Sequence, residues 1–380
     1  MKRLICLLLC LILLPVQCYA LDLVPQETLE ISAPSAVLMH PDGSVLYAKD
    51  AHRPMAPASV TKVMTLLLAV EAIEAGALAL TDVVTASAYA CSMGGSQVWL
   101  EEGEQLTVEQ LLKCVVLASA NDCAVALAEA VAGSETAFVG QMNSRAKDLG
   151  MDNTTFVNCC GLDAKGHQTT AYDIALMSKE LMRHSWIEDY TTLWQDSIRD
   201  GAFTLTNTNK MIRQYDGMIG LKTGSTSQAG FCLSAVARRD GMMLVAVVLG
   251  AENSTKRNQD IRTLLDFGFA NYCEVPISPD EPLPALQVRL GKKEEVHLML
   301  GEATGVLLEK DQVNTLQTQL DLETNLEAPI YRGQRVGTLS VMDGDTVLQE
   351  VPVVAAEDCP RQSIWEIFRQ MLSYIGMRKK

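Results

Sequence analysis

A chain of 380 residues, 48% hydrophobic and 20% charged, is long enough for two or three folded units and too apolar to be disordered. Its 31 Lys and Arg against 46 Asp and Glu leave a net charge of −15, and only 5% of residues are aromatic. An acidic surface repels phosphate backbones and so few aromatics offer little base stacking, so no nucleic-acid partner is expected.

Residues 1–20 read as a signal peptide. Lys2 and Arg3 supply the basic start, Leu4 to Leu14 the apolar run, and Cys18 and Ala20, on either side of Tyr19, the two small residues of a cleavage site. The apolar run is shorter than the roughly 20 residues a bilayer span needs, which predicts an exported chain starting near Leu21. Three of the 11 cysteines fall in this leader. Of those that remain, Cys114, Cys123 and Cys232 stand in apolar stretches and read as buried free thiols. The adjacent Cys159-Cys160 offers poor metal geometry, and no metal or other cofactor is expected.

Residues 36–47 predict a hairpin turning at Pro41-Asp42-Gly43. Apolar residues at helical spacing predict helices over 61–76, 108–117, 122–132 and 171–184. Beyond Gly217 the pattern becomes strand-like, with 230–236 and 242–250 joined by a turn at Arg239-Asp240-Gly241 and a helix over 258–270. Strands at both ends of a helical middle give an α+β fold, with helices on an antiparallel sheet, over residues 21–273. The stretch 274–284 carries Pro276, Pro279, Pro282 and Pro284 and reads as a linker. Short alternating segments over 285–357, with turn signals at Gly333-Gln334 and Asp343-Gly344, predict a small all-β sandwich. In 358–380, Ile364, Ile367, Phe368, Met371, Leu372 and Ile375 share one face of a helix that ends in Arg378-Lys379-Lys380. Too short to span a bilayer, it suits the membrane interface, with docking on the protein's own surface as the alternative.

Three short motifs carry chemistry. Ser59-Val60-Thr61-Lys62 is an S-x-x-K at a helix start, Ser119-Ala120-Asn121 an S-x-N between two helices, and Lys222-Thr223-Gly224 a K-T-G entering a strand. A serine hydroxyl becomes nucleophilic when a base takes its proton, and a residue three positions on along a helix shares its face. Lys62 can be that base if burial and neighbouring cations such as Lys222 depress its pKa. Unpaired backbone N–H groups at a helix start, with the N–H of Ser225, can hold an oxyanion. Each motif alone is weak, and their joint occurrence in order is the signal.

This set resembles that of penicillin-binding proteins and class A β-lactamases. The segments Pro57 to Lys62, Gly94-Gly95-Ser96, Leu117 to Glu129 and Asp216 to Gly230 are similar to those of low-molecular-mass D-alanyl-D-alanine carboxypeptidases. The resemblance implies a peptidoglycan stem peptide ending in D-Ala-D-Ala as substrate and β-lactams as covalent inhibitors. It implies that Ser59 is acylated, that Lys62 is its base, and that Ser119 and Asn121 relay protons and hold the substrate amide. Lys222 and Thr223 would bind the terminal carboxylate with help from Arg257, and Gly224 and Ser225 would complete the substrate-binding set. The family usually has Gly where Ala120 stands, which matters only if that position needs positive φ.

Two rivals differ in chemistry. A β-lactamase needs a deacylating Glu-x-x-x-Asn between the second and third motifs, and none lies between Asn121 and Lys222. A non-catalytic wall-binding protein would have no use for a depressed lysine pKa beside a serine.

Overall fold

The structure, a computed structural model, describes residues 29–279, 282–301 and 305–377. The expected leader and the closing basic triplet lie outside the described residues. The first hairpin forms as its turn chemistry demands, from β1 (Ser35–Met39) and β2 (Val45–Lys49), with Gly43 at φ 103°. A single 3-10 turn over Ala58–Thr61 then leads into α1 (Lys62–Glu74). Residues 62–70 of α1 are all buried, as fits a helix that is apolar all round and runs through the middle of the helical layer. A small pair, β3 (Val83–Thr85) and β4 (Gln105–Thr107), flanks the one-turn α2 (Ala88–Cys91).

The helix expected over 108–117 is α3 (Val108–Lys113), started by a Thr107–Gln110 capping box, whose last turn widens into a π-helical turn over Cys114–Ala118. It ends at Ser119, and α4 (Asn121–Ala132) follows at once. The sequence reading passed over α5 (Glu135–Asp148), because only Phe138, Met142 and Ala146 are buried in an otherwise polar stretch. The helix expected over 171–184 is α6 (Ala171–Leu181), and the short α7 (Glu188–Thr191) precedes a hairpin of β5 (Gln195–Ile198) and β6 (Phe203–Thr206).

The remaining sheet strands are β7 (Met218–Thr226), β8 (Gly230–Arg239) and β9 (Met242–Ala251). The antiparallel sheet runs β2-β1-β9-β8-β7, so β7 is an edge. Alternate residues sort its two faces: Val37, Val245, Val247 and Leu249 pack under the helices of residues 62–181, and Leu38, Leu244, Ala246 and Val248 pack under α8 (Ser254–Asn271). Helix α8 begins at Ser254, four residues before the expected 258, because Asn253 caps it by accepting from the Lys256 N–H.

The expected linker is corrected in its first residues. Helix α8 passes directly into β10 (Tyr272–Pro276), which pairs with β14 (Gly305–Glu309), so 274–276 are strand and only the residues beyond them connect. Pro276 sits at the ladder's end, where a missing N–H costs nothing. The β unit is built from β11 (Leu286–Arg289), β12 (Glu295–Val296), β13 (Leu298–Leu300), β15 (Leu316–Leu322), β16 (Leu326–Glu327), β17 (Arg335–Asp343) and β18 (Thr346–Ala355). A three-stranded sheet and a four-stranded sheet enclose a core that includes Val288, Val296, Leu339, Val351 and Val353. The last helix, α9 (Ile364–Met377), starts at a Ser363 cap reciprocated by Glu366.

Candidate active site

Ser59 lies within the 3-10 turn rather than on α1 itself, and Lys62 is the first residue of the α-helix. The turn is held from both sides. Ala58 takes a left-handed φ of 48°, and a Cβ on Gly161 would stand 1.8 Å from the Ala58 carbonyl oxygen. A Cβ on Gly224 would come 3.0 Å from both the Ser59 nitrogen and the Pro57 carbonyl. The last residue of K-T-G, Gly224, therefore lets β7 lie this close to the serine, since any Cβ there would press on the backbone of the turn.

The Lys62 side chain is fully buried, and its Nζ stands 3.0 Å from Ser59 Oγ, 2.6 Å from Asn121 Oδ1 and 2.7 Å from the Cys160 carbonyl. The Asn121 amide is oriented without ambiguity. Its Nδ2 donates to the Gly94 carbonyl at 2.6 Å, which can only accept, so Oδ1 must face the lysine. Burial pushes the Lys62 ammonium below the ordinary lysine range, against the opposing pull of Cys160, Cys159 and Asp122.

K-T-G lies inside β7, which starts at Met218, four residues before Lys222, and not at the strand's entrance. The reading missed this because Gly217-Met218-Ile219-Gly220 carries two glycines, which weaken a strand signal. Lys222 is buried and donates to the Thr223 carbonyl at 3.0 Å. Burial, then the nearby Lys62 and Arg257, push its ammonium well below the ordinary range. Thr223 Oγ1 donates to Thr208 Oγ1 at 2.8 Å. Arg257, in the first turn of α8, is buried and donates from Nε and Nη2 to Asn258 Oδ1 at 3.1 and 2.9 Å. Its neighbour Lys256 is exposed and pairs with Glu252, so the cleft takes Arg257.

A cleft of about 290 Å³ joins these groups, lined by Ser59, Ser119, Thr223, Gly224, Ser225 and Arg257, with Lys62, Asn121 and Lys222 behind its walls. All nine residues singled out in the sequence thus fall in one place. The same cleft is lined by Ser96, Thr208, Lys210, Phe231, Ser254 and Asn258, which the sequence reading did not assign. Only Ser96 carried a signal, as part of Gly94-Gly95-Ser96; its carbonyl accepts the Asn121 N–H at 2.7 Å. Asp122 was also missed. This fully buried carboxylate accepts the N–H groups of Val98 and Leu100 at 3.1 Å each, fixing the loop that carries Gly94 and Ser96. Ala120 has φ −62°, so its methyl costs nothing, and the left-handed position is Ser119, at φ 60°.

The D-alanyl-D-alanine carboxypeptidase family matches residues 23–253, and the family described as the penicillin-binding protein 5 C-terminal domain matches residues 275–361. The chain belongs to the D-alanyl-D-alanine carboxypeptidase family. The enzyme is 42% identical over 332 residues to the D-alanyl-D-alanine carboxypeptidase DacF of Bacillus subtilis, covering 86% of this chain and 85% of that protein. It is 36% identical to DacC of Escherichia coli over 87% of this chain and 85% of that protein. The solved penicillin-binding protein 5 of Haemophilus influenzae superposes with a TM-score of 0.74 at 27% identity, over 88% of this chain and 99% of that one. An ampicillin-bound penicillin-binding protein D2 of Listeria monocytogenes superposes with a TM-score of 0.58 at 31% identity, over 63% of this chain and 98% of that one. The α+β fold with a following β unit, read from the sequence, is therefore that of penicillin-binding protein 5-like carboxypeptidases.

Proposed function

We propose that this carboxypeptidase works through an acyl-enzyme on Ser59, removing the terminal D-alanine from peptidoglycan stem peptides ending in D-Ala-D-Ala, and that β-lactams acylate the same serine. The observation that carries this is the triple environment of Lys62 Nζ. A neutral amine has two N–H groups and one lone pair. Asn121 Oδ1 and the Cys160 carbonyl can only accept, so they take both hydrogens, and the lone pair is left facing the Ser59 hydroxyl at 3.0 Å. That is the arrangement a general base needs.

Ser59 Oγ attacks the penultimate D-Ala carbonyl carbon as its proton passes to Lys62 Nζ. The oxyanion is held by the backbone N–H groups of Ser59 and Ser225, and Asn121 holds the substrate amide. Lys222, Thr223 and Arg257 bind the terminal carboxylate, which supplies the negative charge that this cluster of cations lacks. The C–N bond then breaks, and the proton reaches the departing amine through Lys62 and the Ser119 hydroxyl. Water hydrolyses the ester by the same groups in reverse. The test is D-alanine release from a pentapeptide, with penicillin titrated against it and the adduct mapped by mass spectrometry. One penicillin per chain on the Ser59 peptide, with stoichiometric loss of D-alanine release, is expected; an adduct on another side chain overturns the assignment. A β-lactamase would turn the penicillin over rapidly, and a wall-binding protein would neither label nor release D-alanine.

We also infer that the chain is exported and that α9 holds it on the outer face of the cell membrane. Ile364, Trp365, Phe368 and Met371 recur along one side of the helix and are 84, 75, 51 and 59% exposed, an apolar stripe that water does not favour. Among the described residues no single helix is long and apolar enough to cross a membrane, so an in-plane position suits it. Deleting residues 364–380, or placing glutamate at Trp365 and Phe368, is expected to move the protein from pelleted anionic vesicles to the supernatant with D-alanine release from a soluble peptide unchanged. Continued pelleting of both variants would rule the anchor out.

A further inference from the structure

The segment behind the catalytic lysine holds an arrangement the proposed reaction does not use. Cys159 and Cys160 are 0 and 1% exposed, and their sulfurs stand 3.7 Å apart. In a disulfide the sulfurs would be about 2.05 Å apart. Two thiolates about 2.3 Å from one tetrahedral zinc ion stand roughly 3.8 Å apart. The two thiols share a hydrogen bond at this distance, and their spacing is also one that a pair of thiolate ligands can use, contrary to the expectation that adjacent cysteines make poor metal geometry. A carboxylate completes the set: one ligand atom each from Glu135, Cys159 and Cys160 lie within 4.8 Å of one another.

The three groups are held by separate anchors. Glu135 opens α5, accepts the Cys159 N–H at 2.9 Å and accepts the Tyr89 hydroxyl at 2.5 Å. Asn158 Oδ1 accepts the N–H groups of Cys160, Gly161 and Leu162 at 3.1, 2.7 and 3.1 Å, which sets the turn that brings both sulfurs to one side. Thr65 donates to the Cys159 carbonyl at 2.7 Å. Access runs by way of Tyr89, which is half exposed, and Glu135, which is partly so.

We propose that Cys159, Cys160 and Glu135 form a binding site for one soft divalent cation of the zinc and cadmium class, and that its occupation inhibits the enzyme by moving the backbone that holds Lys62. The donor set selects the ion: two thiolates favour a soft d10 cation over magnesium or calcium, which take oxygen ligands. Three protein ligands leave a fourth position for the Tyr89 hydroxyl or water. The coupling is short. Cys160 gives its carbonyl to Lys62 Nζ at 2.7 Å, and its thiol lies 3.4 Å from the Asn121 carbonyl. Ligation as a thiolate removes the proton that Cys160 donates to the Asn121 carbonyl, and release of that contact lets the Cys160 carbonyl move off Lys62, which withdraws one of the two acceptors that orient the lysine lone pair.

Cadmium is the probe, because its thiolate complexes show a ligand-to-metal charge-transfer band in the ultraviolet. The full chain, reduced and freed of metal, is titrated with cadmium chloride while that band and the rate of fluorescent-penicillin acylation are followed together. The expected result is a band that saturates at one equivalent and a fall in acylation on the order of tenfold, both reversed by a chelator. In Cys159→Ser, which keeps one thiolate, the band at one equivalent falls by at least half and cadmium no longer slows acylation relative to the same variant free of metal. Glu135→Gln serves if that variant folds poorly, and should weaken cadmium binding on the order of tenfold. No band in the wild type, or an undiminished band in Cys159→Ser, overturns the site. A band that leaves acylation untouched overturns the coupling to Lys62. The inhibition arm rests on the acyl-enzyme reading above, and the charge-transfer arm does not, so their failures are distinguishable.

Discussion

Replacing Lys62 with alanine is expected to slow acylation of Ser59 by a factor on the order of 10³, or about 4 kcal/mol of barrier. Without the amine no other described base is bonded to the serine, since Lys62 Nζ is the group at 3.0 Å from its Oγ. The variant also leaves Asn121 Oδ1 and the Cys160 carbonyl without their donor, so a modest loss of stability should accompany the loss of rate. Lys62→Arg separates the base from the charge. A guanidinium stays protonated at any workable pH, so it preserves a cation and removes the base. If arginine restores acylation, Lys62 acts by its charge and the proton-transfer role fails. The wild-type pH profile carries the same sign. Lys62 must be neutral to act, and burial depresses its pKa below the usual 10.5. Acylation of penicillin should therefore rise with pH through a value below 10.5 and level off above it, and this ascending limb should vanish in Lys62→Arg.

How far the sequence foretold this site depends on the range of the forces involved. The S-x-x-K pair was legible because three residues of helical chain set its spacing, whatever the rest of the protein does. The strand pair of residues 230–250 was legible as nearly continuous apolar runs about a tight turn, because burial on both faces of the sheet leaves almost no polar positions. What stayed hidden was set by contacts distant in sequence. The acceptor from Cys160 lies 98 residues from Lys62, and nothing local to Asn158-Cys159-Cys160-Gly161 marks a turn that reaches the catalytic lysine. Asp122 is similar: an acidic residue beside S-x-N reads as a helix-start charge, and only the fold shows it buried against Val98 and Leu100. Helix α5 was missed for the opposite reason. Its packed stripe is a single row of three residues, Phe138, Met142 and Ala146, and Gly140 and Asn143 between them weaken local propensity. The Pro-rich boundary misled only at Glu274, Val275 and Pro276, where proline at the end of a two-stranded ladder is compatible with strand.

Ser119→Gly is expected to make the protein more stable and the enzyme slower, and the two effects have one origin. Ser119 ends the π-helical turn at φ 60° and ψ 29°, a conformation that costs a residue with a Cβ about 1 kcal/mol. Its Oγ is buried and has no protein hydrogen-bond partner among the described residues, and an unsatisfied hydroxyl costs roughly 1–3 kcal/mol relative to a satisfied one. Both penalties disappear with glycine, whose extra freedom in the unfolded chain returns up to about 1 kcal/mol of the gain. The net should be at least about 1 kcal/mol, seen as a rise of at least about 2–4 °C in the melting temperature of a unit this size. Turnover should fall by about 10²–10³, because this cleft-lining hydroxyl is the one the proposed reaction uses to pass a proton between Lys62 and the leaving amine. Ser119→Ala discriminates among causes: it keeps the backbone penalty, loses the hydroxyl, and should match glycine in rate with a smaller gain in stability. If instead Ser119→Gly melts below the wild type, the unpaired hydroxyl is satisfied in solution and the strain argument fails. If it melts higher but turns over at the wild-type rate, Ser119 is a structural residue and the proton must reach the leaving amine from Lys62 directly.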